Sequence, residues 1–177
     1  MNIVVCTVPR SGSNWFRDML VCRGYPECSE WLHSTETLYS DQYWPRIRQA
    51  HLEHKDFGIK LFIKFMVQSG GIEKICREIN NPPNVFIRLI RKDIDAQAVS
   101  LANATASDDA HAWFDSTAYG DASTELIEEK VAAIKKQNSV WDERLKNRDH
   151  LVVYYEDLKD DPEAEMDRVV EYLESKR

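Results

Sequence analysis

The sequence predicts an α/β fold: one domain with a central parallel sheet of about four to five strands, covered by helices in a three-layer arrangement. Short β-rich apolar runs alternate along the chain with helical patterns, and that alternation is the mark of a parallel sheet with crossover helices. Each run is bounded by its own turn or cap signal. No repeat, low-complexity tract or linker divides the 177 residues, a length that suits one core.

The first strand is expected at 3–7, a β-branched run with Cys6. A helix begins near Ser13 and carries Trp15, Phe16, Met19 and Leu20. A second helix is expected over 41–54, with Pro45 in its first turn, where a missing N–H costs little. The second strand is read at 57–63 and a short helix at 72–79. The breaker Asn80-Asn81-Pro82-Pro83 then separates that helix from a third strand at 84–90. Helices follow at 93–104 and 124–146, the longer one with Leu126, Ile127, Val131, Ile134 and Trp141 on an apolar stripe. A fourth strand is expected at 150–154. Asp161-Pro162 reads as a cap with proline at the first position of the last helix.

A net charge of −7 opposes broad nucleic-acid binding, although a local cluster of Arg, Lys and backbone N–H groups can still hold one anion. No run reaches the roughly 18 apolar residues of a membrane span. The apolar start, Met1 to Thr7, lacks a basic leader and meets Pro9 and Arg10 at once, so it reads as a strand rather than a signal peptide. Cys6, Cys22, Cys28 and Cys76 have no metal-ligand spacing. They are read as reduced thiols, two of them in the core, of a cytoplasmic protein. The histidines His51, His54, His111 and His150 form no metal constellation, and no metal is assigned.

Ligands of open parallel sheets bind beyond the carboxyl ends of the strands. After the first strand comes Val8-Pro9-Arg10-Ser11-Gly12-Ser13-Asn14-Trp15 and then a helix. Free helix N–H groups, the helix dipole, the hydroxyl and amide donors of Ser11, Ser13 and Asn14, and the Arg10 guanidinium make this an anion site. A serine-rich capped turn is the bland alternative. The glycine–lysine loop of nucleotide kinases and the three-glycine dinucleotide loop are both absent.

These residues resemble the 5′-phosphosulfate loop of sulfotransferases that use 3′-phosphoadenosine 5′-phosphosulfate (PAPS). Two further segments are similar to that family. Arg91-Lys92-Asp93, with Ser100 on the next helix, resembles its 3′-phosphate element, and Tyr154-Tyr155-Glu156-Asp157-Leu158 with Asp161-Pro162 resembles its C-terminal segment. Among the family's members, the bacterial carbohydrate sulfotransferases of the trehalose 2-sulfotransferase type look most similar. The features are Phe57-Gly58-Ile59-Lys60-Leu61, Gln97-Ala98-Val99-Ser100, and a later helix with Trp141.

The resemblance implies a nucleotide-kinase-like (P-loop-like) sulfotransferase fold spanning 1–177. It also implies sulfuryl transfer from PAPS to a hydroxyl of a small carbohydrate-like acceptor. It casts Arg10 and Lys60 as the cations at the reacting group, and Arg10, Ser11, Gly12, Ser13, Asn14, Trp15, Arg91, Lys92, Ser100 and Tyr155 as nucleotide contacts. Trp15 and Tyr155 would lie by the adenine, with plain core packing the alternative for Trp15. The family's strand histidine base is missing, since the chain reads Lys60-Leu61-Phe62. In trehalose-type enzymes the base is a glutamate after the first helix. Glu30 matches best, ahead of Glu27 and His33, and an ordinary loop charge is the alternative. Glu156 and Asp157 read as turn and capping residues. Trp31, Tyr43, Trp44 and Trp113 are candidates to line a sugar site. The Arg-Lys-Gly found late in many relatives does not appear before Arg177. A minimal enzyme, or a homodimer whose partner closes the site, would fit that. Rival readings are a nucleotide-kinase-like phosphotransferase and a non-catalytic PAPS-binding protein.

Overall fold

The computed structural model describes residues 1–30, 49, 57–68, 70–79, 84–107 and 121–177. Its strands are β1 (Asn2–Thr7), β2 (Cys28–Ser29), β3 (Phe57–Phe62), β4 (Asn84–Ile90) and β5 (His150–Tyr154). They form one sheet in the order β2-β3-β1-β4-β5, every pairing parallel. The helices among the described residues are α1 (Ser13–Cys22), α2 (Ile63–Gln68), α3 (Ile72–Glu78), α4 (Ile94–Ala106), α5 (Thr124–Leu145), α6 (Tyr155–Asp160) and α7 (Pro162–Glu174). None of them is long and apolar enough to cross a membrane.

Strand β1 lies in the middle, between β3 and β4, and all six of its residues are buried. That burial explains its continuous apolar run, because a central parallel strand has no wet face. The side chains divide two cores between the sheet's faces. On one face Val4, Cys6, Phe86, Ile59 and Leu61 pack with residues of α2, α3, α4 and α5, among them Ala98, Leu101, Ile134 and Trp141. On the other, Ile3, Val5, Ile87 and Leu89 pack against Phe16 and Leu20 of α1, Leu158 of α6, and Met166, Val169 and Leu173 of α7. The layers are thus helix, sheet, helix.

The four strands expected from the sequence are present. Three short elements were not expected: β2, α2 and α6. The edge strand β2 pairs Cys28 with Gly58 and Ser29 with Ile59. It comes so close that a β-carbon on Gly58 would stand 2.7 Å from the Glu27 carbonyl oxygen, which only glycine tolerates. The strand expected at 57–63 ends at Phe62, and Ile63 opens α2. The segment after β5 is α6, a helical turn that joins α7 where the Asp161 side chain accepts from the Ala164 N–H. The helix expected over 41–54 lies outside the described residues, apart from Gln49.

Candidate functional site

The connections after β1 and β4 leave for opposite faces of the sheet: α1 packs in one core and α4 in the other. Neighbouring strands whose connections diverge leave a crevice at their carboxyl ends, where ligands of open α/β sheets bind. Arg10 lies in the loop after β1, past Val8 and Pro9, and Arg91 follows β4 directly.

The β1–α1 loop is held in a shape that most residues avoid. Arg10 has φ +65° and Gly12 φ +82°, the left-handed region that disfavours a β-carbon. At Gly12 a β-carbon would also meet the Tyr155 ring at 2.3 Å. The loop is fastened at several points. Thr7 Oγ1 lies 3.2 Å from the Leu89 carbonyl oxygen and 2.5 Å from Ser11 Oγ, so the Thr7 and Ser11 hydroxyls are hydrogen-bonded to each other. The Trp141 indole N–H reaches the Thr7 carbonyl at 2.9 Å from α5. Gln97 Nε2 donates to the Pro9 carbonyl at 2.7 Å, and Arg91 Nη1 to the Arg10 carbonyl at 3.4 Å. Ser11 is 1% exposed, and its hydroxyl is hydrogen-bonded with that of Thr7.

Arg10 Nε donates to Ser100 Oγ at 2.8 Å. Two sequence segments 90 residues apart, each predicted to bind one end of a nucleotide, meet in this bond. Beside it, Arg91 lies 5.0 Å from the Tyr155 ring centroid. Trp15 meets the same ring edge-on, with centroids 6.1 Å apart, and is 37% exposed. Among the described residues, the buried Arg91 donor Nε has no partner. Lys92 points elsewhere: its ammonium sits 2.5 Å from Asp157 and 4.4 Å from the Tyr154 ring centroid. The Asp157 hydrogen bond raises its pKa above the ordinary lysine value. Glu156 accepts from the backbone N–H groups of Lys92 and Asp93 at the start of α4, which gives it the capping geometry expected of that segment.

The second cation lies on the other side of the loop. Lys60, on β3, is 2% exposed, and its Nζ is 2.6 Å from both Glu30 Oε1 and Asn14 Oδ1. One ammonium thus joins three predicted site residues, from the first turn of α1, the segment after β2, and β3. Glu27 accepts from Ser29 Oγ at 2.8 Å and lies 3.9 Å from Arg17 Nη1. His33, Trp31, Tyr43, Trp44 and Trp113 lie outside the described residues.

The sequence reading gave no role to two buried polar residues, Gln97 and Arg88. Gln97 sits with Ile94, Ala98 and Leu101 on one stripe of α4, and a polar residue on such a stripe is itself a signal. Arg88 interrupts the apolar run of β4. It is 1% exposed and donates to Asn138 Oδ1 at 2.5 Å and to the Leu89 carbonyl at 3.0 Å. Burial lowers its pKa below the usual arginine value.

The fold and the loop define an α/β protein with a strand–loop–helix turn at the carboxyl edge of its parallel sheet. No protein-family model matches the chain, and no curated protein matches it.

Proposed function

We propose that the protein is a sulfotransferase of nucleotide-kinase-like fold that uses PAPS as sulfuryl donor and a small carbohydrate-like hydroxyl compound as acceptor. The observation that carries this reading is the Arg10–Ser100 hydrogen bond, because it brings the phosphosulfate-loop resemblance and the 3′-phosphate resemblance into one crevice. The buried, unpartnered Arg91 Nε fits the same reading, since a bound phosphate would supply the acceptor it lacks.

PAPS, when bound, supplies a sulfuryl group joined to a good leaving phosphate. The work left to the chain is alignment and charge stabilisation. In this reading the Ser11 to Asn14 amides and Arg10 hold the 5′ end, Arg91 and Ser100 hold the 3′-phosphate, and Trp15 and Tyr155 flank the base. Lys60 neutralises charge at the reacting group. Glu30 takes the acceptor hydroxyl proton after parting from Lys60.

The Glu30–Lys60 pair also favours a second reading, non-catalytic PAPS binding, in which it stays closed. The test is a mass-spectrometric transfer assay with PAPS and a panel of mono- and disaccharides, with and without a magnesium chelator. Chelator-insensitive sulfated product is expected. Binding without product across the panel would favour the second reading, and magnesium-dependent transfer from ATP instead would favour a kinase-like phosphotransferase.

A further inference from the structure

In a planar trans peptide the carbonyl oxygen and the amide hydrogen of one unit point in opposite directions. Whatever holds a loop carbonyl therefore also aims the following N–H. In the β1–α1 loop, the carbonyl before the Arg10 amide is held by Gln97 Nε2 at 2.7 Å. The next one is approached by Arg91 Nη1 at 3.4 Å. The Arg10 and Ser11 N–H groups are thereby turned away from the β4–α4 segment. Between them lies the left-handed Arg10 backbone, a conformation that persists only where the surroundings over-determine it.

Gln97 is 1% exposed, and its buried Oε1 has no hydrogen-bond partner among the described residues. An amide that only filled space would strand that acceptor for nothing, because an apolar side chain of equal length would avoid it. Its one bond goes to the loop, not to its own helix. We propose that Gln97 is a positioning residue that locks the Pro9–Arg10 peptide so that the Arg10 amide faces a bound sulfate or phosphate group. This rests on reading the loop as an anion site.

The test is a titration of the full chain with inorganic sulfate, followed on the Arg10 and Ser11 amides in ¹H–¹⁵N spectra. Both amides of the wild type should shift saturably. Gln97→Met keeps the length without the donor. Gln97→Glu keeps the shape but sets a carboxylate against the Pro9 carbonyl. Each should weaken sulfate binding about five- to tenfold, the order expected for one hydrogen bond, and should move the Arg10 amide resonance before sulfate is added. The Trp141 indole resonance, held by the Thr7 carbonyl, should stay in place and report an intact fold. If Gln97→Glu loses that resonance, Gln97→Met decides alone. A wild type that responds beside variants of unchanged affinity and unchanged Arg10 amide overturns the role of Gln97 and leaves the anion loop standing. A wild type that does not respond overturns both.

Discussion

Glu30→Gln tests a base and a counter-ion at once, and the structure lets the two be told apart. Lys60 is 2% exposed, and Glu30 is the one carboxylate within 4 Å of it among the described residues; the Glu30 side chain is 27% exposed. Removing one partner of a buried ion pair costs about 3–5 kcal/mol, because the survivor is left charged and dry. Glu30→Ala should fall toward the lower end, since about a quarter of the carboxylate's surface already meets water. Glu30→Gln keeps an oxygen acceptor for Nζ and should cost about 1–3 kcal/mol. Both losses are smaller than the roughly 5–15 kcal/mol of a typical domain, so the variants should fold. Urea unfolding of wild type, Glu30→Ala, Lys60→Met and the double variant measures the pair. The double variant should be more stable than the sum of the single losses predicts, by at least about 1 kcal/mol. A Glu30→Ala cost below about 0.5 kcal/mol, the scale of an ordinary surface change, would refute the buried pair. Sulfuryl transfer should vanish in Glu30→Gln while nucleotide affinity persists. Retained transfer would move the base to Glu27 or His33.

Gly12→Ala should cost at least the roughly 1–2 kcal/mol of a left-handed backbone, and more because its β-carbon would press on Tyr155. In thermal melts, adding Tyr155→Ala should recover only the part due to the clash. Asn138→Ala should destabilise by about 1–3 kcal/mol, since it takes the acceptor from the Nη2 of the buried Arg88 guanidinium. Arg88→Met should cost less, and urea midpoints that reverse this order would show that Arg88 finds another partner. Burial raises the Cys28 thiol to about 12. An unfolded thiol ionises near 8.5, so the unfolded state sheds its proton first. The stability tied to this thiol is full below about pH 8.5 and is lost as pH climbs toward about 12. Comparing urea midpoints at neutral and alkaline pH, Cys28→Ala should decline less steeply than wild type. Equal slopes would mean that the thiol ionises as readily in the folded chain.

Periodicity carried the long helices because each buries one regular stripe, and the inner strands because they are buried on both faces. The all-buried β1, the boundaries of β4 and β5, and the Asp161-Pro162 start of α7 each have a local cause in the sequence. The two-residue strand β2 has none, since it exists only because Gly58 lets β3 approach the Glu27 carbonyl. The turn α6 was hidden for a similar reason. Its tyrosine is fixed by Gly12 and Arg91, residues far away in sequence. In the candidate site, residue types and strand-end positions were legible, but who engages whom was not. The sequence reading named the Ser11 hydroxyl as a ligand contact, but its hydrogen bond with Thr7, four residues back on β1, was not legible. Lys92 stands beside Arg91 in sequence, yet pairs with Asp157. The joining of Lys60, Glu30 and Asn14 depends on sheet order, which no local pattern encodes.

The most direct test of the sulfotransferase reading is calorimetric titration of the full chain with adenosine 3′,5′-bisphosphate, the product nucleotide, beside ADP and ATP with magnesium. The account predicts saturable binding of the bisphosphate that weakens sharply without the 3′-phosphate and in Arg91→Ala. No binding, or a preference for ATP with magnesium, would contradict it.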